Sequence, residues 1–275
     1  MKAPQPRGAA IDVQRRRRWT GNFSTYRHQV SEQTITDWMG QFSDAHRDVA
    51  ARLLDVVDFY SMDRISGAFR TALAALPGWH ITKAHRQGTW RFAALSRSAG
   101  ESGDAMMHRF RVASGLDAKK FNELFIHPSQ ILLEKLGPDD TLVFIDDFVG
   151  TGDSVCKAWE ESFAELVSEV GKVFLVVVAA IDEGRKRVGD KTDLTCVAGH
   201  ELTKHDNFFA DQCNTFTKAD KDIILRYCER AFKNEPKGYG NCGLVVIFQH
   251  RSPNNSLPIF YVEHGRWAGL FPRHG

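Results

Sequence analysis

Two adjacent carboxylates, Asp146 and Asp147, directly follow the apolar run 142–145. A run of this kind predicts a strand that is buried on both faces of a parallel sheet. In open α/β sheets, ligands bind beyond the carboxyl ends of the strands. Neighbouring carboxylates at such a place suit ribose hydroxyls or a Mg²⁺ ion. The chemistry indicated is therefore the binding of a ribose-containing ligand, a metal ion, or both.

A glycine-containing turn comes after the acidic pair, with Thr151 between Gly150 and Gly152. Glycines let backbone N–H groups close on a phosphate, and the N-terminus of a following helix favours an anion. Ser154 is predicted to cap that helix, which would begin near Val155. The order of features is thus a strand, an acidic pair, a phosphate-binding turn and a helix.

This stretch resembles the signature of the type I phosphoribosyltransferases, which bind phosphoribosyl pyrophosphate (PRPP). Asp146 and Asp147 match its acidic pair, and Phe148 matches the apolar position that follows. The resemblance implies that the pair holds the ribose hydroxyls and Mg²⁺. It assigns the binding of the 5′-phosphate to the segment Val149, Gly150, Thr151, Gly152, Asp153 and Ser154.

Two positions depart from the family's pattern. Gly150 stands where purine-salvage members carry an aspartate that acts as a base, which argues against a 6-oxopurine substrate. Asp153 puts a negative side chain where a small residue is usual, beside the expected phosphate. That departure argues against ordinary turnover, unless Mg²⁺ bridges the carboxylate or the side chain points away.

A second loop, residues 96–103, is rich in small polar residues and follows a strand predicted at 90–96. In this superfamily the first strand of the sheet is followed by a loop that holds pyrophosphate. The resemblance therefore places Arg97 and Ser102 at the pyrophosphate, where a guanidinium can pair with two phosphate oxygens. A plain surface loop is the alternative interpretation.

The predicted fold class is α/β, a type I phosphoribosyltransferase-like parallel sheet flanked by helices, with a helical N-terminal cap. Residues 1–30 are predicted to be a flexible basic segment, residues 31–78 the cap of amphipathic helices, and residues 79–275 the α/β domain. Other predicted strands lie at 79–83, 173–181, 192–198 and 243–248, and other helices at 104–111, 118–125, 129–136, 154–170 and 218–232.

Composition sets limits on partners and location. A net charge of only +2 excludes a global basic field, so a nucleic-acid contact would depend on the run Arg15–Arg18, which a solvated tail or a helix start explains as well. The five cysteines are scattered without CxxC spacing, as expected for reduced thiols. No apolar run is long enough to span a membrane, and no signal-peptide region is visible. We expect a cytoplasmic protein.

The C-terminal tail narrows the resemblance. The turn 238–241 (Gly-Tyr-Gly-Asn), an apolar strand, the segment 253–258 (Pro-Asn-Asn-Ser-Leu-Pro) and a closing Trp267…Leu-Phe-Pro-Arg occur together in a divergent phosphoribosyltransferase-like family. That family is encoded among bacterial conflict and phage-defence systems, sometimes as the effector of a larger assembly. The resemblance implies partner proteins of such a system, and relatives of this fold often form homodimers. By residue type, the tail is predicted to be a structural clamp.

Other functions fit some of the same residues. The segment 146–152 also resembles the first motif of S-adenosylmethionine-dependent methyltransferases, with Asp182 then holding the cofactor's ribose. That motif normally opens its domain, whereas a strand and helices are predicted before it here. A P-loop hydrolase is excluded because no Gly-Lys-Ser/Thr follows the glycines. A non-catalytic module that binds a nucleotide or a partner protein remains a third interpretation.

Overall fold

The computed structural model describes residues 8–95, 102–265 and 267–273, with side chains from residue 13 and, after the first gap, from residue 104. The chain forms two compact units. Residues 62–203 make up the sheet unit, and residues 1–61 together with 204–275 make up the terminal unit. The predicted domain boundaries, after residues 30 and 78, differ from this division.

The elements alternate between helices and strands along most of the described chain. The helices are α1 (Gly8–Phe23), α2 (Glu32–Gly40), α3 (Arg47–Asp55), α4 (Met62–Ala74), α5 (Ser102–Ala113), α6 (Ile131–Glu134), α7 (Asp153–Ala158), α8 (Asp182–Lys191) and α9 (Lys218–Ala231). The strands are β1 (Asp58–Tyr60), β2 (Trp90–Ala94), β3 (Thr141–Val149), β4 (Lys172–Ile181), β5 (Thr195–Leu202), β6 (Val246–Phe248), β7 (Glu263–His264) and β8 (Trp267–Ala268).

The sheet unit is built on four parallel strands in the order β2-β3-β4-β5. Its two inner strands, β3 and β4, carry the continuous apolar runs, as expected for strands covered on both faces. Helices α4 and α5 pack on the sheet and meet through the rings of Phe69 and Phe110, whose centroids lie 5.6 Å apart. After α7, Phe163 packs its ring on Phe144 at 4.7 Å. The predicted α/β class, a parallel sheet flanked by helices, is confirmed.

The terminal unit joins the first helices to the C-terminal tail. The indole N–H of Trp38 donates to the carbonyl of Ile259 at 2.9 Å, and its ring stacks on Phe260. Trp267 and Phe271 are buried, Trp267 against Phe42. The tail therefore clamps the N-terminal helices within one aromatic core. The strand predicted at 243–248 shortens to β6, which pairs with β1 in a separate two-stranded sheet.

The N-terminal basic segment is in part a helix. Within residues 1–30, which were predicted to be flexible, α1 spans Gly8–Phe23 because Trp19 is fully buried and its indole N–H donates to Asp55 at 2.9 Å. Asp55 also pairs with Arg15 and Arg18, and Arg17 lies 3.9 Å from a Glu32 oxygen. Much of the arginine charge is therefore offset within the unit, which gives the nucleic-acid interpretation no support.

The elements predicted at 79–83 and 154–170 differ from the structure. Residues 79–83 do not form a strand; Trp79 instead packs its ring on Trp90 and Phe92, whereas Ile81 is exposed. The segment 154–170, predicted to be one amphipathic helix, is helical as far as Val167, but only α7 to Ala158 is α-helical; a π turn and a 3₁₀ turn follow it. Among the described residues, no helix has the length and hydropathy needed to cross a membrane.

Candidate functional site

The acidic pair lies inside β3, because the strand continues to Val149. Asp146 pairs in register with Val177 of β4, and Val149 with Ala180, so the long apolar strand β4 supports the extension. Asp146 and Asp147 therefore lie within the strand, whereas the sequence had placed both after its end.

Asp146 and Asp147 are half-buried and lie where β3 extends beyond the end of β2. The last residue of β2, Ala94, stands opposite Ile145. Asp146 is tied to the backbone, since its Oδ1 accepts the N–H of Asp147 at 2.9 Å. This carboxyl end of β3, beyond the end of β2, is the position at which parallel α/β sheets bind ligands.

The predicted pyrophosphate loop starts beside the pair. Leu95 follows β2, and its N–H donates to the carbonyl of Ile145 at 2.9 Å, one residue before Asp146. Arg97 lies outside the described residues. Ser102 is the first residue of α5, and its side chain also lies outside the described part. The structure thus fixes where the chain enters this loop, and the roles of both residues remain predictions.

The glycine turn after β3 is pressed against α8. Gly152 has φ +81°, a left-handed conformation that glycine adopts without strain. A Cβ at Gly152 would lie 2.8 Å from the carbonyl oxygen of Gly184. A Cβ at Gly184 would in turn lie 1.8 Å from the carbonyl oxygen of Gly150. Only glycines permit this close approach of turn and helix, so α8 packs directly on the backbone of the turn.

The polar side chains of the turn form a closed network. The hydroxyl of Thr151 donates to Asp153 Oδ2 at 2.9 Å and accepts the Asp153 N–H at 3.3 Å. The other carboxylate oxygen of Asp153 lies 2.8 Å from Arg187 Nη2 on α8. The repulsion expected between Asp153 and a phosphate is therefore moderated by a cation of the protein itself.

Ser154 does not cap the helix, contrary to prediction. Its side chain is exposed, α7 begins one residue earlier at Asp153, and Gly152 occupies the N-cap position without a side-chain hydrogen bond. The hydroxyl that serves the first turn is that of Thr151. Phe148 is half-buried on β3, and Val149 and Gly150 are buried.

Cys156 lies two residues after Ser154 and packs near α8. Burial raises the pKa of its thiol, and the nearby Arg187 only partly opposes that shift. This direction is opposite to the lowering that a helix N-terminus alone would give. Cys156 therefore fits the role of a small packing residue better than that of a nucleophile.

The acidic pair offers carboxylate oxygens to a metal at this site. Among the described residues, no group of three or more His, Cys, Asp or Glu side chains could hold an ion. Mg²⁺ is commonly bound through one or two carboxylates plus the phosphate oxygens of a substrate. The half-buried carboxylates of Asp146 and Asp147 fit that donor set if a phosphorylated ligand completes it.

Arg187 is a candidate site residue that the sequence did not reveal. No element had been assigned to residues 182–191, which form α8. Two acidic residues at its start and a lysine at its end are a helix signal. Asp182, the ribose ligand in the methyltransferase interpretation, begins α8 and lies 3.6 Å from Arg185 Nη2. A strand, β2, does lie beside β3 ahead of the motif, as the phosphoribosyltransferase pattern requires.

Comparison with protein families gives a match. The model of a family described as PRTase-CE matches residues 35–273, most of the chain. A search of curated proteins finds no match.

Proposed function

Because this chain belongs to the PRTase-CE family, which is of the phosphoribosyltransferase type, we propose that it binds PRPP or a related nucleotide together with Mg²⁺. The observation that carries the proposal is the position of Asp146 and Asp147 on β3, where it extends past β2, followed directly by the glycine turn that α8 holds. An acidic pair and a phosphate turn in this order suit the two ends of a ribose 5-phosphate.

The residues have distinct roles in this proposal. Asp146 and Asp147 receive the ribose hydroxyls and, through them or through water, the metal. The backbone of residues 149–153 and the hydroxyls of Thr151 and Ser154 hold the 5′-phosphate. Arg97 and Ser102 face the pyrophosphate. Mg²⁺, when bound, would offset charge on the leaving group.

In the reaction, a nucleophile would form a bond to C1 of the ribose while the C1–O bond to pyrophosphate breaks and its electrons leave with the pyrophosphate. The transition state is expected to resemble an oxocarbenium ion. Positioning and electrostatics would then supply most of the rate enhancement. A free base, a protein side chain and a nucleic-acid end are the candidate acceptors. Gly150 argues against a 6-oxopurine base.

We place this activity in a bacterial anti-phage defence system with partner proteins. Support comes from the sequence resemblance carried by the turn 238–241, the segment 253–258 and the closing Trp267 and Phe271. A second candidate function is a non-catalytic nucleotide-binding module. The engagement of Thr151 and Asp153 with each other favours it, because both then serve the loop itself.

Calorimetry tests the proposal. The purified protein is titrated with PRPP and Mg²⁺, and with S-adenosylmethionine in parallel. Micromolar binding of PRPP alone supports the site, and pyrophosphate release with a panel of acceptors then separates an enzyme from a binding module. Binding of S-adenosylmethionine alone would overturn the proposal.

A further inference from the structure

Thr151 cannot serve the 5′-phosphate while it serves Asp153. A hydroxyl has one proton to donate, and the Thr151 proton lies in the 2.9 Å bond to Asp153 Oδ2. The same carboxylate holds Arg187 through its other oxygen at 2.8 Å. A carboxylate is an anion with paired oxygens, as a phosphate is, so Asp153 already takes donors that a phosphate at this loop would use.

Arg187 is placed to change partners. It lies on α8 one turn after Gly184, the residue pressed against the carbonyl of Gly150. Val188, its neighbour, lies beside Gly152. The helix is therefore held on the turn by glycine and valine contacts that do not depend on the ion pair. The side chains of Arg187 and Asp153 are 53% and 38% exposed, which leaves room for both to move.

Resting on the proposed function, we infer that Asp153 is an internal competitor of the phosphate and that Arg187 determines specificity for it. Binding of a phosphate displaces the Asp153 carboxylate, and Thr151 and Arg187 pass from the carboxylate to the phosphate oxygens. The site then admits phosphate only at the cost of breaking an internal pair, so it selects ligands whose remaining groups bind well.

The test compares three variants by titration with PRPP and Mg²⁺ and with inorganic phosphate. Asp153→Asn removes the competing charge and releases Arg187, so the dissociation constant should fall roughly threefold to tenfold. Arg187→Met removes the cation and leaves the carboxylate in place, so the constant should rise by a similar factor. Arg185→Met is the matched control, since Arg185 lies on the same helix and pairs instead with Asp182 and Glu201.

The inference requires that Asp153→Asn and Arg187→Met change the dissociation constant in opposite directions. An ion pair that merely stabilises the turn would make both Asp153→Asn and Arg187→Met weaken binding, and that result would overturn the inference. PRPP binding that is equal in wild type and both variants would overturn it as well, with the proposed function intact.

The failure of the proposed function looks different. If no protein binds PRPP but Asp153→Asn binds inorganic phosphate more tightly than wild type, the competition stands and the PRPP assignment falls. If neither wild type nor any variant binds PRPP or inorganic phosphate, the inference and the proposed function are both wrong. Circular dichroism on each variant confirms that it is folded.

Discussion

Gly184 lies against Gly150, so closely that a Cβ on Gly184 would stand 1.8 Å from the Gly150 carbonyl oxygen. This contact helps to hold α8 on the turn after β3, which directly follows the acidic pair. The helix that follows β4 thereby shapes the candidate site on β3.

Gly184→Ala should open this contact. Because both atoms that would clash with the Cβ belong to backbone, the turn or the helix must shift, and we expect a lower melting temperature together with weaker PRPP binding. Gly189→Ala, on the same helix with nothing within 4 Å of its Cβ, is the control. It should be neutral or stabilising by about 0.5–1 kcal/mol, as alanine is in helices. Equal melting temperatures of the two variants would contradict the contact.

Asp146→Asn and Asp147→Asn together should abolish PRPP binding while the fold persists. Since both carboxylates are half-buried near the end of β3, each single variant should weaken binding, the more damaging one by about tenfold or more. Calorimetry measures all three, with Asp190→Asn as control because that carboxylate pairs with Lys186 on the exposed face of α8. Wild-type affinity in the double variant would refute the site.

Asp220 should make the free energy of unfolding depend on pH in the acid range. Hydrogen bonds from Arg52, with the Thr217 cap, lower its pKa to about 2 against some opposition from burial. A depressed carboxyl pKa contributes stability that is present above the unfolded value near 3.8 and lost as pH falls towards about 2. The contribution is about 2 kcal/mol.

Urea unfolding of wild type and Asp220→Asn measures this contribution to the unfolding free energy from pH 6 down to the lowest pH at which both proteins still fold. The gap in unfolding free energy should be full at pH 6 and should narrow below about pH 4. A gap that does not change with pH would contradict the charge-based account.

Asp55 should matter to the N-terminal helix. Its carboxylate accepts the Trp19 indole N–H and pairs with Arg15 and Arg18. Asp55→Ala leaves these donors without their acceptor and should cost about 1–3 kcal/mol in unfolding free energy. Asp44→Ala breaks only an exposed pair with Arg47 and should change stability little. A similar, small effect of both would show that α1 is held by apolar packing alone.

Much of the sheet unit could be predicted from local pattern. The apolar runs that became β3 and β4 are continuous, and a continuous run flanked by turn residues is typical of a strand covered on both faces. The acidic pair, the glycine turn and β2 were likewise visible, since each depends on residues that are neighbours in the chain. Helix α9 was predicted for the same reason, from its periodic apolar face.

The sequence by itself determined the type of the main elements and the order of acidic pair and glycine turn. Only the tertiary structure decided that β3 runs through the pair, because the partner strand β4 pairs with it as far as Val149. It also decided the pairing of Asp153 with Arg187 and the joining of residues 1–61 to the tail. Those contacts depend on which distant elements pack together, and periodicity within one element carries no information about its neighbours.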